Sequence, residues 1–153
     1  MTGTRSRELR DRFWRRHANP RSGWSRIPTG AVLAYALYRR NWRLLAAALI
    51  WTSLNPVLFS PPDTTEAWMT RAVLAERWWI ADGNPTVGLS YPNICNLVAS
   101  IGFCGAILAA WRQRPAGVAV GTAVSVGLKL WWLRELVIAY DEQVTEPPDW
   151  LRK

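Results

Sequence analysis

The sequence predicts an all-α fold, a four-helix transmembrane bundle with an additional amphipathic interfacial helix. Three observations lead to this prediction. Four apolar runs alternate with polar segments, and the last run, residues 116–140, exceeds the roughly 20 residues that a helix needs to cross a bilayer. Turns rich in arginine, proline or glycine separate the runs within each pair. Many of the eleven tryptophans lie near the ends of apolar runs, as in the aromatic belts of membrane proteins.

Composition limits the class of protein. A chain of 153 residues is one domain. The net charge is +8, but the basic residues lie beside apolar runs rather than along one polar face, which argues against nucleic-acid binding. Cys95 and Cys104 are nine residues apart on one predicted helix, about 13 Å, too far to bridge each other. No metal or cofactor site is expected, because His17 is the single histidine and no cysteine lies near it.

The N-terminal segment, residues 1–26, carries eight arginines and is predicted to lie at the membrane interface. It lacks the apolar core of a cleavable signal peptide. The first apolar run, residues 27–38, gives only about 18 Å of helix, short of a hydrocarbon core of roughly 30 Å. Flanking arginines and Trp24 can extend the effective span by snorkelling.

The second predicted helix covers residues 43–59 and is expected to kink at Pro56, directly after Asn55. Residues 63–66 then resemble a capping box that opens a helix over residues 64–80, with Gly83 as its stop. This helix is too polar to span and suits the interface plane.

The third and fourth predicted helices cover residues 93–111 and 116–140, and an arginine turn joins them. The membrane domain is therefore residues 27–140. The tail, residues 141–153, is acidic, contains Pro147 and Pro148, and is predicted to be disordered.

Lysine and arginine counts predict the orientation. With four spans, the two ends and the 61–92 loop share one side and hold twelve such residues: Arg5, Arg7, Arg10, Arg12, Arg15, Arg16, Arg21, Arg26, Arg71, Arg77, Arg152 and Lys153. The turns hold five: Arg39, Arg40, Arg43, Arg112 and Arg114. The protein is thus predicted to be a multi-pass cell-membrane protein with both termini in the cytoplasm. If residues 27–38 only dip into the bilayer, the count is thirteen against four and the C-terminus lies outside.

The fourth helix carries a stripe of small residues that ends in a cation. Gly117, Gly121 and Ser125 recur every four residues, a spacing that lets another helix approach closely. Lys129 is the next position on the stripe, so it is expected to point into the helix interface. There it needs an anion, a carbonyl or water, because a cation within a bilayer is costly. A buried ion pair, with Glu76 for example, a contact to a ligand, and snorkelling of the lysine to the headgroups would each satisfy this requirement.

Several polar residues are candidates for a binding site. Asn93 and Asn96 fall on one face of the third helix, where they either bond to neighbouring helices or hold a polar headgroup. Arg26, Arg77 and Lys129 would supply positive charge to the same ligand. His17 and Glu76 are candidate acid/base residues, although a lone histidine in a basic segment is more often simply solvated. Soluble-type catalytic motifs are absent from the sequence.

Four separated motifs, in order, resemble an uncharacterised family of small prokaryotic multi-pass membrane proteins, a domain of unknown function. They are Arg-His-Ala-Asn-Pro-Arg-Ser-Gly-Trp-Ser-Arg (16–26), Asn-Pro-Val-Leu-Phe-Ser-Pro-Pro (55–62), Arg-Ala-Val-Leu-Ala-Glu-Arg (71–77) and Gly-Leu-Lys-Leu-Trp-Trp (127–132). The resemblance covers about residues 13–142 and implies a multi-helix membrane bundle but no activity. It marks these pattern positions: His17, Asn19, Arg26, Asn55, Glu76, Arg77, Asn93, Asn96 and Lys129.

Three functions remain open from the sequence. The leading hypothesis is a small binding or accessory module that holds an anionic lipid of the bilayer or docks on a larger membrane complex. The second is a membrane-embedded enzyme that acts on a lipid or isoprenoid substrate, with His17 or Glu76 as acid/base. The third is a small transporter, which four short helices permit only if the protein forms a homo-oligomer.

Overall fold

The computed structural model describes residues 2–146 and 148–152, so Pro147 of the predicted tail and Lys153 of the charge count lie outside the described residues. Within the described part the chain is all α-helical and contains no strand, which confirms the predicted class. Its helices are α1 (Thr2–His17), α2 (Pro20–Arg26), α3 (Thr29–Tyr38), α4 (Trp42–Leu58), α5 (Trp68–Ala81), α6 (Asn93–Trp111), α7 (Pro115–Gln143) and α8 (Asp149–Arg152).

The first apolar run gains length from the helix before it. Ile27 and Pro28, between α2 and α3, both have right-handed helical backbone angles. Pro28 lacks an N–H group but its carbonyl still accepts from Val32 N at 3.0 Å, so the two helices form one rod with a proline kink. From Pro20 to Tyr38 this rod is about 28 Å long, against about 15 Å for α3 alone.

Helices α6 and α7 form an antiparallel hairpin held by close backbone approach. A Cβ atom added at Gly121 would lie 2.7 Å from the Gly102 carbonyl oxygen and 2.8 Å from the Ala106 backbone nitrogen. A Cβ added at Gly117 would lie 2.7 Å from the Ala109 Cβ. The predicted small-residue stripe of α7 therefore faces α6, as small residues at helix interfaces do.

The turns α3–α4 and α6–α7 lie side by side, and we call them the arginine turns (residues 39–41 and 112–114). Arg40 donates from Nη2 to the Trp111 carbonyl at 2.7 Å, and its guanidinium lies 4.3 Å from the Trp111 ring centroid. Gln113 donates to the Tyr38 carbonyl at 2.6 Å. Both hairpins thus end at the same end of the bundle.

Among the described residues, two helices, α6 and α7, are long and apolar enough to cross a membrane by length and composition. Only 22% of the apolar stretch of α6 and 11% of that of α7 is buried inside the chain. Large aliphatic side chains stand exposed instead, such as Ile50 at 59%, Ile101 at 60% and Val120 at 63%. A core helix of a soluble protein would bury this surface. Helices α3 and α4 are shorter, with 10 and 17 residues.

Helix α5 differs from the prediction of a helix lying in the interface plane. Met69, Thr70 and all of residues 72–75 are buried, so α5 packs inward on most of its circumference. The predicted capping box does not form, because α5 begins only at Trp68 and its N-cap, Ala67, offers no side-chain bond. The predicted stop is confirmed, since Gly83 follows the helix with a φ of 81°.

The largest hydrophobic core lies between α5 and the C-terminal part of α7, where Trp132 and Leu136 are fully buried. The predicted disordered tail also differs from the structure. Helix α7 continues to Gln143, and the short α8 follows. Trp150 of α8 packs against this core, and the centroid of its ring lies 3.8 Å from the Arg77 guanidinium carbon. The prediction of disorder followed from the acidic composition of the tail, which does not reveal this aromatic contact. We call α1, α5 and α8, which lie around this end of α7, the headpiece.

Candidate functional site

Polar side chains gather at one level of the bundle, which we call the polar layer: Arg26, Asn55, Asn96 and Lys129. Measured from the arginine turns at 1.5 Å per residue along their own helices, all four lie about 20–24 Å away. Four helices of different sequence therefore change from apolar to polar at the same height, which is where the headpiece begins.

A cavity of about 380 Å³ opens within this layer, between α2, α3, α5 and α7. Four of its lining side chains can carry or accept charge: His17, Arg26, Glu76 and Lys129. The rest of the wall is mainly apolar or small, namely Gly23, Ile27, Gly30, Met69, Ala72, Val73, Ser125, Val126 and Leu133. A concave, mostly apolar site with a few converging polar groups has the usual make-up of a ligand site.

Lys129 reaches the cavity from the small-residue stripe of α7. Its Nζ lies 3.5 Å from Glu76 Oε1 and 4.1 Å from the centroid of the Trp132 ring. The Lys129 side chain is 37% exposed and that of Glu76 is 23% exposed, so the pair is open to the cavity rather than sealed. Lys129 can therefore pair with Glu76, as foreseen, and still contact a ligand in the cavity.

Arg26 reaches the cavity from the end of α2 and contacts His17. Its Nη1 lies 2.7 Å from His17 Nδ1 and 2.8 Å from Nε2. A guanidinium can only donate, so the imidazole accepts and is neutral. Burial, and then the positive charges of Arg26 and Lys129, lower the pKa of His17 from 6.5 to about 3. Phe13 stacks on the imidazole with ring centroids 5.3 Å apart and fixes its plane.

The charges of the cavity do not cancel. Arg26 and Lys129 are cations, Glu76 is the one carboxylate among the described lining residues, and His17 is neutral. The net charge of +1 in a half-enclosed, low-dielectric space favours an anion. Within the described residues no group of three metal-ligating side chains forms, so the arrangement offers anion binding rather than a metal centre.

A buried hydrogen-bond network beside the cavity was not foreseen from the sequence. Asn55 is fully buried, and its amide donates to Ser25 Oγ at 2.8 Å while its side-chain oxygen accepts from Ser22 Oγ at 2.8 Å. Both partner serines lie on α2, so the network joins α4 to the helix that carries Arg26. The signal was present as two serines spaced three apart and an asparagine before a proline, Pro56, inside an apolar run.

Three of the five predicted ligand-binding residues do not line this cavity. Arg77 follows Glu76 on α5 and so points about 100° around the helix, where it pairs with Asp11. Asn93 accepts from Trp132 Nε1 at 3.2 Å, and Asn96 donates to the Thr86 carbonyl at 2.8 Å. Asn93 therefore makes the interhelical hydrogen bond that was the alternative interpretation of its position, whereas Asn96 bonds to the loop between α5 and α6. Arg26 and Lys129 do meet, together with both acid/base candidates.

Comparison with known proteins gives a family but no activity. No curated protein and no solved structure matches the chain significantly. One family model matches residues 4–151, which include every lining residue of the cavity. The match bears out the resemblance to an uncharacterised family that the four motifs indicated. The chain belongs to the family of unknown function DUF6653.

Proposed function

We propose that this protein is a multi-pass membrane protein that holds the headgroup of an anionic amphiphile in the cavity at its polar layer. The four crossings are the α2–α3 rod, α4, α6 and α7. The arginine turns face the outside and the headpiece with both termini faces the cytoplasm. The observation that carries the binding proposal is the convergence of Arg26 and Lys129, from different helices, on a cavity with a single carboxylate.

Two levels of exposed tryptophan support the bilayer position. Trp42 and Trp111, each 57% exposed, stand beside the arginine turns. Trp24 and Trp131, 51% and 50% exposed, stand at the opposite level and line one shallow surface depression together. From Arg114 to Trp131 the rise along α7 is about 26 Å, close to the roughly 30 Å of a hydrocarbon core. Tryptophan prefers both edges of such a layer.

The two proposed tryptophan levels also give the depth of the cavity in the bilayer. Lys129 lies two residues before Trp131, about 3 Å along the helix, so the cavity lies at the headgroup level of the cytoplasmic leaflet rather than at the bilayer centre. In this proposal Lys129 lies near the headgroups, although the apolar run that contains it is long enough to cross the whole bilayer. A cation near the headgroups costs much less than one at the centre.

The dimensions restrict the ligand. A volume of about 380 Å³ is at the low end for small-molecule sites, so it takes a headgroup and a short apolar part rather than a whole two-chain lipid. In this proposal Arg26 and Lys129 bind the anion. Glu76 holds Lys129 in reach, and His17 positions the Arg26 guanidinium. Apolar lining residues such as Ile27 and Val126 would contact the chain of the amphiphile.

The test is lipid retention by the intact protein. We would reconstitute it in nanodiscs of phosphatidylcholine with a minor fraction of phosphatidylglycerol and count bound lipids by native mass spectrometry after release. Lys129→Gln and Arg26→Gln should each retain about tenfold less phosphatidylglycerol, because each removes one charged hydrogen-bond donor. Arg134→Gln, an exposed cation on the same helix, is the matched control and should behave as the unmodified chain.

Equal retention in all variants would contradict the site. A stoichiometric protein in the spectra would instead favour the accessory role in a larger membrane complex, and a mass at twice or more that of the chain would favour a homo-oligomer.

The enzyme hypothesis has less support, since a histidine with a pKa of about 3 is a weak base at neutral pH and Glu76 faces a lysine. For the transporter hypothesis, the described residues offer only a proline, Pro56, inside α4.

A further inference from the structure

We propose a second anion site, separate from the polar cavity, in the groove between α1 and α5, where Arg77 and Arg10 bind a phosphate group. The groove is a cavity of about 390 Å³ lined by Arg10, Trp14, Arg77, Ile80 and Ala81. None of these five residues lines the polar cavity. The two cavities lie on different faces of α5, since Glu76 and Arg77 diverge by about 100°.

The first observation is a largely buried guanidinium in which one nitrogen has no acceptor. The Arg77 side chain is only 15% exposed. Its Nη2 pairs with Asp11, and the guanidinium plane lies 3.8 Å from the Trp150 ring centroid and 5.9 Å from that of Trp14. Its Nη1 is buried and has no hydrogen-bond partner among the described residues. Buried charged donors are normally satisfied, so a group of the ligand or the solvent belongs there.

The second observation is the charge around the groove. Arg10 reaches it from α1, and Arg7 precedes Arg10 by three residues on the same helix face. The described lining holds two arginines and no carboxylate. The Asp11 carboxylate pairs with only one of these arginines, Arg77. The potential in the groove is therefore positive, while the aromatic wall of Trp14 lowers the local dielectric and strengthens it.

These features fit phosphate better than a carboxylate. Two guanidinium groups that approach from different helices need an acceptor with oxygens on several sides, which a tetrahedral phosphate presents. The phosphate can belong to a lipid headgroup or be free in solution, and the chemistry of recognition is the same.

The test uses the full chain and two probes. Inorganic phosphate is titrated calorimetrically into protein in a neutral maltoside detergent. In parallel, native mass spectrometry counts phosphatidic acid bound to protein from phosphatidylcholine nanodiscs that contain it. Saturable binding in the first arm identifies free phosphate, and retention only in the second identifies a lipid headgroup. Both arms are run on Lys129→Gln, which weakens anion binding in the polar cavity. Either result supports the second site if adding Arg77→Gln weakens the remaining binding by about tenfold.

Two further variants separate binding from folding. Arg10→Gln changes an exposed residue that makes no described ion pair, so it leaves the fold intact and should weaken binding about threefold. Asp11→Asn removes the carboxylate but keeps the Arg77 guanidinium, so it should bind at least as tightly as the unmodified chain. Absence of binding to both probes, binding unaffected by Arg77→Gln and Arg10→Gln, or a loss in Asp11→Asn as large as in Arg77→Gln would overturn the proposal.

Discussion

The two halves of α7 pack by opposite means. The N-terminal half meets α6 through glycines that bring the two backbones together, and it leaves aliphatic side chains such as Val120 exposed. The C-terminal half buries Trp132 and Leu136 completely against the headpiece. One continuous helix therefore has a surface suited to lipid along one half and a core of the soluble type along the other. Lys129 lies at the junction.

The comparison of the two halves explains why polar side chains gather at the junction between them. In the apolar half, a charged group would face aliphatic surface, and in the headpiece core it would displace packed aromatic rings. At the junction, α2, α4, α5 and α7 each contribute a polar side chain, and these partly satisfy one another. The cavity is thus a product of the change in packing rather than of a single motif.

The largest effect is expected from truncation in the core half of α7. Leu136→Ala removes a side chain with 0% exposure and should lower the free energy of unfolding by about 3 kcal/mol. Val120→Ala, in the other half of the same helix and 63% exposed, should change it by less than about 1 kcal/mol in detergent. Reversible unfolding in mixed micelles, followed by tryptophan fluorescence, measures both. Equal losses of unfolding free energy in the two variants would contradict the difference in packing between the two halves of α7.

A glycine substitution tests the apolar half. Gly121→Ala would place a Cβ 2.7 Å from a backbone oxygen of α6, so the hairpin must separate, and a loss of about 2–3 kcal/mol is expected. Gly127→Ala is the matched control, because its Cβ would meet nothing within 4 Å. This control should be neutral or stabilise the helix by up to about 1 kcal/mol. The same unfolding assay applies, and a tolerated Gly121→Ala would contradict the close approach.

The junction is tested through Asn55. Asn55→Ala deletes a buried amide and leaves Ser22 and Ser25 without that partner, so we expect a loss of about 2 kcal/mol in unfolding free energy. Ser53→Ala, on the same helix, removes an exposed hydroxyl bonded only to its own helix at Leu49 and should cost under about 0.5 kcal/mol. A small effect of Asn55→Ala would mean that α2 and α4 are joined mainly by apolar contact.

The smallest expected effect is a pH dependence from His17. Its pKa is about 3 in the folded protein, against 6.5 for an ordinary histidine. Below pH 6.5 the unfolded chain therefore binds a proton that the folded chain does not bind. Stability is therefore full above pH 7 and should fall by about 1 kcal/mol between pH 7.5 and 5.5. The fall continues down to about pH 3. His17→Gln should lack this fall in thermal unfolding scans, and an identical pH profile in both proteins would exclude a buried neutral imidazole.

Periodicity alone predicted much of the apolar half. Residues 93–111 form a helix with the predicted bounds, and the small-residue stripe of α7 contacts its neighbour as expected. These features depend on local spacing along single helices, which a sequence displays directly. The pairing of Lys129 with Glu76 was foreseen as one possibility because a lysine on the helix-interface stripe needs an anion, a carbonyl or water.

The headpiece was predicted less well because its contacts are long-range. Helix α5 looked interfacial from its total polarity, but its residues 72–75 are all buried by contacts with other helices. Arg77 was grouped with Lys129 although it lies on another face of α5. The Asn55 network joins residues about thirty positions apart, and nothing local specifies which serine an amide will meet.

The central claim is that the polar layer marks the cytoplasmic edge of the bilayer, and cysteine labelling tests it most directly. In a chain with Cys95 and Cys104 replaced by serine, single cysteines are introduced at Gln113, in an arginine turn, and at Asp82, at the end of α5. A membrane-impermeant maleimide is applied to intact and to permeabilised cells. The account predicts that Gln113→Cys is labelled in intact cells and Asp82→Cys only after permeabilisation. Protection of both sites in intact cells, or the reverse pattern, would contradict it.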